Sequence, residues 1–250
     1  MKTESGRAEI SGGNANITYA CFTDIGKVRK VNEDNFLAVP DSSVFCVADG
    51  VGGGGVGGFA SRIALDNIAD QLVEDDDVAL VDLIRRANDE VCKQKKTIAR
   101  DMATTIAMVR FRSRLVSIGH IGDSRVYLWR GSYLRQLTGD HSLVTELYRH
   151  GKIKYEEMRT HPRRNIITRA LGTDTVVEPE LSEFVLRHGD LLLLCTDGLT
   201  SMVDDEDIGA SLSNRRRDLG ACGYELVHKA NMAGGKDNIT VVLLRYTVGS

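Results

Sequence analysis

No apolar run in this 250-residue chain approaches the roughly 18 residues of a membrane-spanning helix. The longest obvious one, LLLLC at 191–195, has the length of a buried strand. The first sixteen residues, MKTESGRAEISGGNAN, contain no apolar h-region. A signal peptide is therefore not expected, and 1–16 reads as a flexible leader. Neither charge dominates: 32 Lys and Arg stand against 35 Asp and Glu, a net of −3. The sequence-wide basic footprint of a nucleic-acid binder is missing. The five cysteines, Cys21, Cys46, Cys92, Cys195 and Cys222, form no CxxC pair and are odd in number. Four lie in apolar stretches, which suits buried reduced thiols in a cytoplasmic protein, a catalytic cysteine being the lesser reading. There is no internal repeat and no interdomain linker, and the length suffices for one well-buried domain over 17–247.

What is present is a series of short strand patterns interrupted by helices. The segment 17–23 alternates, and 35–39 and 43–48 follow as strands after a turn-like GKVRKVNEDN. A helix begins near 58, with Ile63, Leu65, Ile68 and Leu72 on one stripe. Leu80, Leu83, Ile84, Ala87 and Val91 mark a second helix at i, i+3, i+4, i+7 and i+11. Strands are expected again at 104–111, 114–119, 124–130 and 133–137. The polar, His- and Arg-rich stretch 140–172 carries one helix at 142–150. Strands at 181–187 and 190–196, a helix at 216–231 and a last strand at 238–246 complete the chain. This is not a βαβ alternation, so a doubly wound parallel sheet is disfavoured. Antiparallel sheets with helix pairs packed outside fit better.

Five acidic positions share one context, the end of an apolar strand. Asp49 follows VFCVA and precedes Gly50; Asp197 follows LLLLCT and precedes Gly198. Asp123 sits in GHIGDSR, Asp237 in GGKDN, and Glu33 with Asp34 in NEDN. Asp-Gly alone is an ordinary turn. As a set, carboxylates at the mouths of buried strands need a neutralising partner. Oxygen ligands without grouped His or Cys favour Mg²⁺ or Mn²⁺ over zinc. Two such ions about 3.5–4 Å apart form a hydrolytic centre for phosphate esters.

The loop after Asp49 holds seven glycines in nine residues, 50–58. A phosphate-binding Walker loop needs a Lys after its glycines, and none follows here. GGGVGG at 53–58 matches GxGxxG only as any glycine run would. The better reading is a loop that lets backbone approach metal, with Gly50 offering its carbonyl.

These motifs together resemble the metal-dependent protein phosphatases, the protein phosphatase 2C family, in its compact bacterial form. The matching stretches are TDIGKVRKVNEDN (23–35), VADGVGG (47–53), MATTIAMVRF (102–111), GHIGDSRVYLWR (119–130), HPRRNIITRALG (161–172), LLLLCTDGLT (191–200) and GGKDNITVVLL (234–244). The resemblance implies an α+β fold: a central β-sandwich of two antiparallel sheets flanked by pairs of α-helices, four layers in all, with a flap near 140–172 that affects substrate choice. It implies metal-dependent hydrolysis of phosphoserine and phosphothreonine in proteins by a water that the ions activate. By the same resemblance Asp49 bridges two Mn²⁺ or Mg²⁺ ions, Gly50 supplies a carbonyl to one, and Asp197 and Asp237 are further ligands. Glu33 and Asp34 hold metal-bound waters, Asp123 serves a third, weaker ion, and Arg29 binds the substrate phosphate. Implied partners are phosphoprotein substrates and a cognate Ser/Thr kinase in the cytoplasm, with no nucleic acid. The chain is expected to be a monomer, since no heptad seam is present.

One family feature is missing. Bacterial members commonly carry a histidine five residues after the bridging aspartate, where this chain has Gly54; a glutamate four residues later is replaced by Gly58. That histidine is associated with protonating the leaving oxygen, a contribution of roughly 10²–10⁴-fold in general. Three explanations stand: a metal-bound water as donor, another histidine (His161 first, then His120 or His141), or a slow enzyme acting partly as a phosphoprotein-binding pseudophosphatase.

Overall fold

Why LLLLC contains no polar residue becomes plain from where it lies. In the computed structural model, which describes residues 1–10, 15–52, 55–98, 101–213 and 218–249, this segment is a strand with both faces covered. The strands are β1 (Lys2–Ile10), β2 (Ala15–Asp24), β3 (Asp34–Val39), β4 (Val44–Gly52), β5 (Met102–Thr104), β6 (Ile106–Arg112), β7 (Leu115–Ile121), β8 (Arg125–Arg130), β9 (Tyr133–Gln136), β10 (Glu180–Val185), β11 (Leu191–Cys195) and β12 (Ile239–Val248). The helices are α1 (Val56–Glu74), α2 (Leu80–Ile98), α3 (Leu143–Arg149), α4 (Tyr155–Met158), α5 (Asp197–Thr200), α6 (Asp205–Leu212) and α7 (Leu219–Met232).

One sheet runs β1-β2-β12-β11-β8-β9 and the other β10-β7-β6-β4-β3, with β5 attached to β4; every described pairing is antiparallel. Successive strand residues face opposite sides, and three apolar layers follow. Leu192 and Leu194 point between the sheets with Phe45, Val47, Val109 and Val242. Leu191, Leu193 and Cys195 face α5–α7 with Leu199, Leu226 and Val227. Val44, Cys46, Ile106 and Met108 face α1 and α2, whose Leu65, Ile68, Leu83, Ile84 and Val91 fill the third layer. Each such aliphatic side chain contributes about 1.5–3 kcal/mol by leaving water. The expected four-layer sandwich is thus the observed one.

Several expectations are corrected. The flexible leader expected over 1–16 contains strand β1, paired with β2 from Lys2↔Thr23 to Ile10↔Ala15. It escapes pattern reading because only Ala8 and Ile10 are buried apolar residues, at one end of a polar edge strand. Residues 11–14 lie outside the described residues. The strand expected at 104–111 is divided at Thr105, whose side chain turns to Asp49. Helices α4, α5 and α6 were not foreseen. The helix expected at 216–231 is α7, and its expected first residues lie outside the described ones. All five cysteines are free, four of them buried. Among the described residues no helix is long and apolar enough to cross a membrane.

Candidate metal centre

The sandwich brings the ends of β4, β11 and β12 and the turn between β7 and β8 to one edge. Asp34, first in β3, is the register partner of Asp49 in β4. Asp197 opens α5 immediately after β11, Asp237 precedes β12, and Asp123 sits between β7 and β8. Asp49, Asp123, Asp197 and Asp237 are half-buried, keeping access to the cleft, while Asp34 is only 3% exposed.

These carboxylates hold one another away from their ordinary acidity. Burial, then the charges of Asp34, Asp197, Asp123 and Asp237, push Asp49 well above the usual range. Burial, then Asp197 and Asp140, do the same to Asp123. Asp197 is pushed up to about 6 by burial and Asp237. Asp34 is pushed up to about 7 by burial first, against hydrogen bonds that favour its charged form. One of those comes from Thr196 Oγ1, which donates to Asp34 Oδ2 at 2.7 Å; Asp34 Oδ1 is buried with no partner. An orphaned carboxylate oxygen within a ring of mutually repelling carboxylates is the environment a divalent cation relieves. The all-oxygen donor set fits Mg²⁺ or Mn²⁺.

The glycine loop has a steric role. A β-carbon on Gly50 would meet the Gly57 carbonyl at 2.2 Å and the Glu33 carbonyl oxygen at 2.6 Å, so β4 and the first turn of α1 touch backbone to backbone. Gly198 is equally confined: its β-carbon would lie 1.8 Å from the Asn238 carbonyl oxygen. Glu33 occupies the start of α1, where its Oε1 accepts from the Gly57 N–H at 3.1 Å. A carboxylate there complements the helix dipole. Its own N–H donates to Asn238 Oδ1 at 2.8 Å, and its carbonyl accepts from Ser61 Oγ at 2.6 Å. Arg29 lies at the rim, its Nη2 donating to Asp237 Oδ2 at 2.7 Å.

The structure therefore gathers Asp34, Asp49, Asp197, Asp237, Asp123, Gly50, Glu33 and Arg29 at one edge. It does not gather His161 with them. Its Nδ1 accepts from the Arg163 N–H at 3.1 Å, within its own loop, and it does not line the cavity beside Asp123 and Asp197. Gly54 lies outside the described residues.

The rings of His120 and His141 lie 4.7 Å apart, tilted by 35°, next to Glu180 on β10. His141 Nδ1 accepts from the Gly122 N–H at 3.0 Å, so Nε2 carries the proton and donates to Glu180 Oε2 at 3.2 Å. Burial, His120 and Arg169 hold His141 down at about 4. The neighbouring His120, 3.8 Å away, and the hydrogen bond from His141 hold Glu180 near 2.

Sequence reasoning missed Thr105, Thr196 and Asn238. Thr105 Oγ1 accepts from the Asp49 N–H at 2.9 Å and pairs with Ser124 Oγ at 2.7 Å. Asn238 Nδ2 donates to the carbonyls of Ile25 and Val31, tying the loop that carries Arg29 to the start of β12.

Comparison with known proteins agrees with this geometry. The family described as Protein phosphatase 2C matches residues 27–232. The chain is 37% identical over 235 residues to a serine/threonine phosphatase, stp, of Listeria monocytogenes serotype 4b, covering 89% of this chain and 93% of that one. It superimposes on the serine/threonine phosphatase PstP of Mycobacterium tuberculosis with a TM-score of 0.85 at 34% identity, covering 92% and 98% of the two chains. A PstP catalytic domain solved with 2 manganese ions gives 0.84 at 32% identity over 93% and 99%.

Proposed function

From the premise that the chain belongs to the protein phosphatase 2C family and is a metal-dependent protein serine/threonine phosphatase, we propose how its own residues divide the work. Asp49, Asp197 and Asp237, with the Gly50 carbonyl, would hold two Mn²⁺ or Mg²⁺ ions; Glu33 and Asp34 would hold the waters around them, and Asp123 would offer a third, weaker place. Cations in such a set supply Lewis acidity, lowering the pKa of water and offsetting charge on phosphoryl oxygens. The observation that carries the assignment is the buried, unpartnered Asp34 oxygen among carboxylates that raise one another's pKa.

Arg29 orients the substrate phosphate. Its guanidinium spends one N–H on Asp237, which leaves other donors of the planar fork for phosphoryl oxygens. Thr105 and Thr196 position Asp49 and Asp34, and Asn238 fixes the Arg29 loop. Hydrolysis needs no covalent enzyme intermediate, which suits four buried cysteines and a half-buried Cys92 whose thiol desolvation pushes up. The intact carboxylate set favours turnover over a pseudophosphatase. Gly54 supplies no side-chain proton donor, which slows release of poor alkoxide leaving groups. A single catalytic domain that takes in β1 together with the expected 17–247, phosphoprotein substrates, a cognate Ser/Thr kinase, a cytoplasmic setting and a monomeric state complete the reading.

The test is Mn²⁺-dependent phosphate release from a phosphothreonine peptide beside p-nitrophenyl phosphate, whose leaving group hardly needs an acid. Release from both, faster from the aryl ester, is expected. Release from neither with metal bound would refute the assignment.

A further inference from the structure

Asp49 lies within β4 and Asp197 opens α5, but Asp123 belongs to no strand or helix and sits in the turn between β7 and β8. Something other than regular structure must hold it. Gly122 has a φ of +108°, and a β-carbon there would lie 2.6 Å from the Thr105 side chain, so the turn rests directly on Thr105. Ser124, on the other side of Asp123, pairs with Thr105 Oγ1 at 2.7 Å, the oxygen that also accepts from the Asp49 N–H. Both polar backbone groups of Gly122 go to His141. The Gly122 N–H donates to His141 Nδ1 at 3.0 Å, and the Gly122 carbonyl accepts from the His141 N–H at 2.8 Å. His141 is buried. Beside it Arg125 pairs with Asp140 and the Val126 N–H donates to Thr138 Oγ1 at 3.1 Å, so 138–141 runs alongside 122–126.

Holding a cation is not what His141 is built for. His120, His141 and Glu180 do bring ligand atoms within 4.8 Å of one another. Yet a backbone N–H occupies the Nδ1 lone pair of His141, so Nε2 keeps its proton and has no lone pair to offer a metal. Arg169 Nη1 stands 3.2 Å from that Nε2 and adds positive charge. The Nε2 proton goes to Glu180 Oε2, which locks the tautomer whose Nδ1 accepts.

We infer that His141 is a positioning residue for Asp123: its ring, with the tautomer fixed by Glu180, grips Gly122 and so aims the carboxylate of the next residue at the third cation place. This role rests on the reading of Asp123 as that place and adds what holds it there. Groups that orient a metal ligand without touching the metal contribute strongly to affinity, because a carboxylate free to swing must be ordered at the moment of binding. Thr105 and His141 then hold the turn from its two sides, Thr105 also serving Asp49.

The experiment uses the full chain and Mn²⁺ alone. Calorimetric titration separates tight binding from a weaker event, and Asp123→Asn identifies the weaker event by removing it. An asparagine carries Oδ1 where His141 carries Nδ1, whereas the amide of a glutamine reaches the place of Nε2. His141→Asn should therefore keep the weaker affinity close to wild type, and His141→Gln should lower it about tenfold or more. A merely structural role would rank the two variants the other way, since glutamine fills more of the buried space; urea unfolding gives that ranking separately. Reciprocity adds a test that needs no substitution at 141. Mn²⁺ filling the weaker event should slow hydrogen exchange over residues 119–125 in wild type and not in Asp123→Asn. A weaker affinity that His141→Gln leaves intact, an equal loss in both His141 variants, or an exchange rate that Mn²⁺ leaves unchanged would overturn the positioning role while leaving Asp123 as a cation place. A weaker event that is absent from wild type, or that survives Asp123→Asn, would strike the reading of Asp123 itself and the positioning role with it.

Discussion

Asp34 costs the protein stability without metal and contributes to it with metal, so replacing it by Asn should change sign between the two conditions. The carboxylate is 3% exposed with one orphaned oxygen. Unfolded, it releases its proton near pH 3.8; folded and metal-free, it keeps it to about 7. Between those values the folded state binds more protons, so stability falls as pH rises, by about 1.4 kcal/mol per unit, and levels off above pH 7. The full loss is about 4 kcal/mol. Asn has the shape of the protonated acid and never ionises. Metal-free Asp34→Asn should therefore match wild type near pH 4 and exceed it by up to about 4 kcal/mol at pH 8. The difference between the two proteins cancels the titrations that Asp34 does not influence; Asp49, which the Asp34 charge helps push up, is relieved in the variant and adds to the gain at high pH. In saturating Mn²⁺ the order should reverse, because the charged carboxylate then supports a bound cation and binding stabilises the folded state by mass action. The assay is urea unfolding followed through Trp129, the single and buried tryptophan, in EDTA and in Mn²⁺. A variant less stable than wild type at pH 8 without metal, or an equal Mn²⁺ gain in both, would refute the reasoning.

Three further outcomes are expected. Gly198→Ala forces a methyl to within 1.8 Å of the Asn238 carbonyl oxygen; the variant should lose about 1–3 kcal/mol or more, with weaker Mn²⁺ binding by calorimetry because Asp197 and Asp237 move apart. His141, held at about 4 against 6.5 unfolded, leaves the unfolded chain binding more protons between those values, so its contribution is complete above pH 6.5 and drains away on acidification, by at most about 3 kcal/mol. His141→Gln should flatten that part of the melting-temperature profile, and an unchanged profile would exclude His141 as its source. Gly54→His should raise phosphothreonine-peptide turnover by about tenfold or more and leave p-nitrophenyl phosphate alone; unchanged peptide turnover would show that a proton donor at 54 is not what the enzyme lacks.

The carboxylates were legible because their signal is local: an apolar strand ends and Asp-Gly follows, as at Asp49 and Asp197. Their supports were not legible, because each works through a partner far along the chain. Thr196 reaches Asp34 across 162 positions, Thr105 reaches Asp49 across 56, and Asn238 reaches Glu33 across 205. Nothing in the surrounding residues distinguishes these from any Thr or Asn after a strand. Strand β1 was missed for a different reason: it is held by its ladder to β2, and its side chains bury little. Helices α5 and α6 were hidden by brevity, too short for an apolar stripe to declare a period. His161 was singled out by residue type alone, and its loop turns it toward Arg163.

The flap begins and ends at the same place. Ser142 bridges to Ile167, and the neighbouring backbone bonds, Leu143 N–H to the Ile166 carbonyl and Thr168 N–H to the His141 carbonyl, close the stem. Everything from 143 to 166 therefore hangs from one pinned gate. The cost of closing such a loop grows only with the logarithm of its length. Descendants of one ancestral gene can then lengthen, shorten or recharge this segment while inheriting the metal-binding edge untouched. Such a cassette lets a lineage acquire new clients faster than it could rebuild its chemistry.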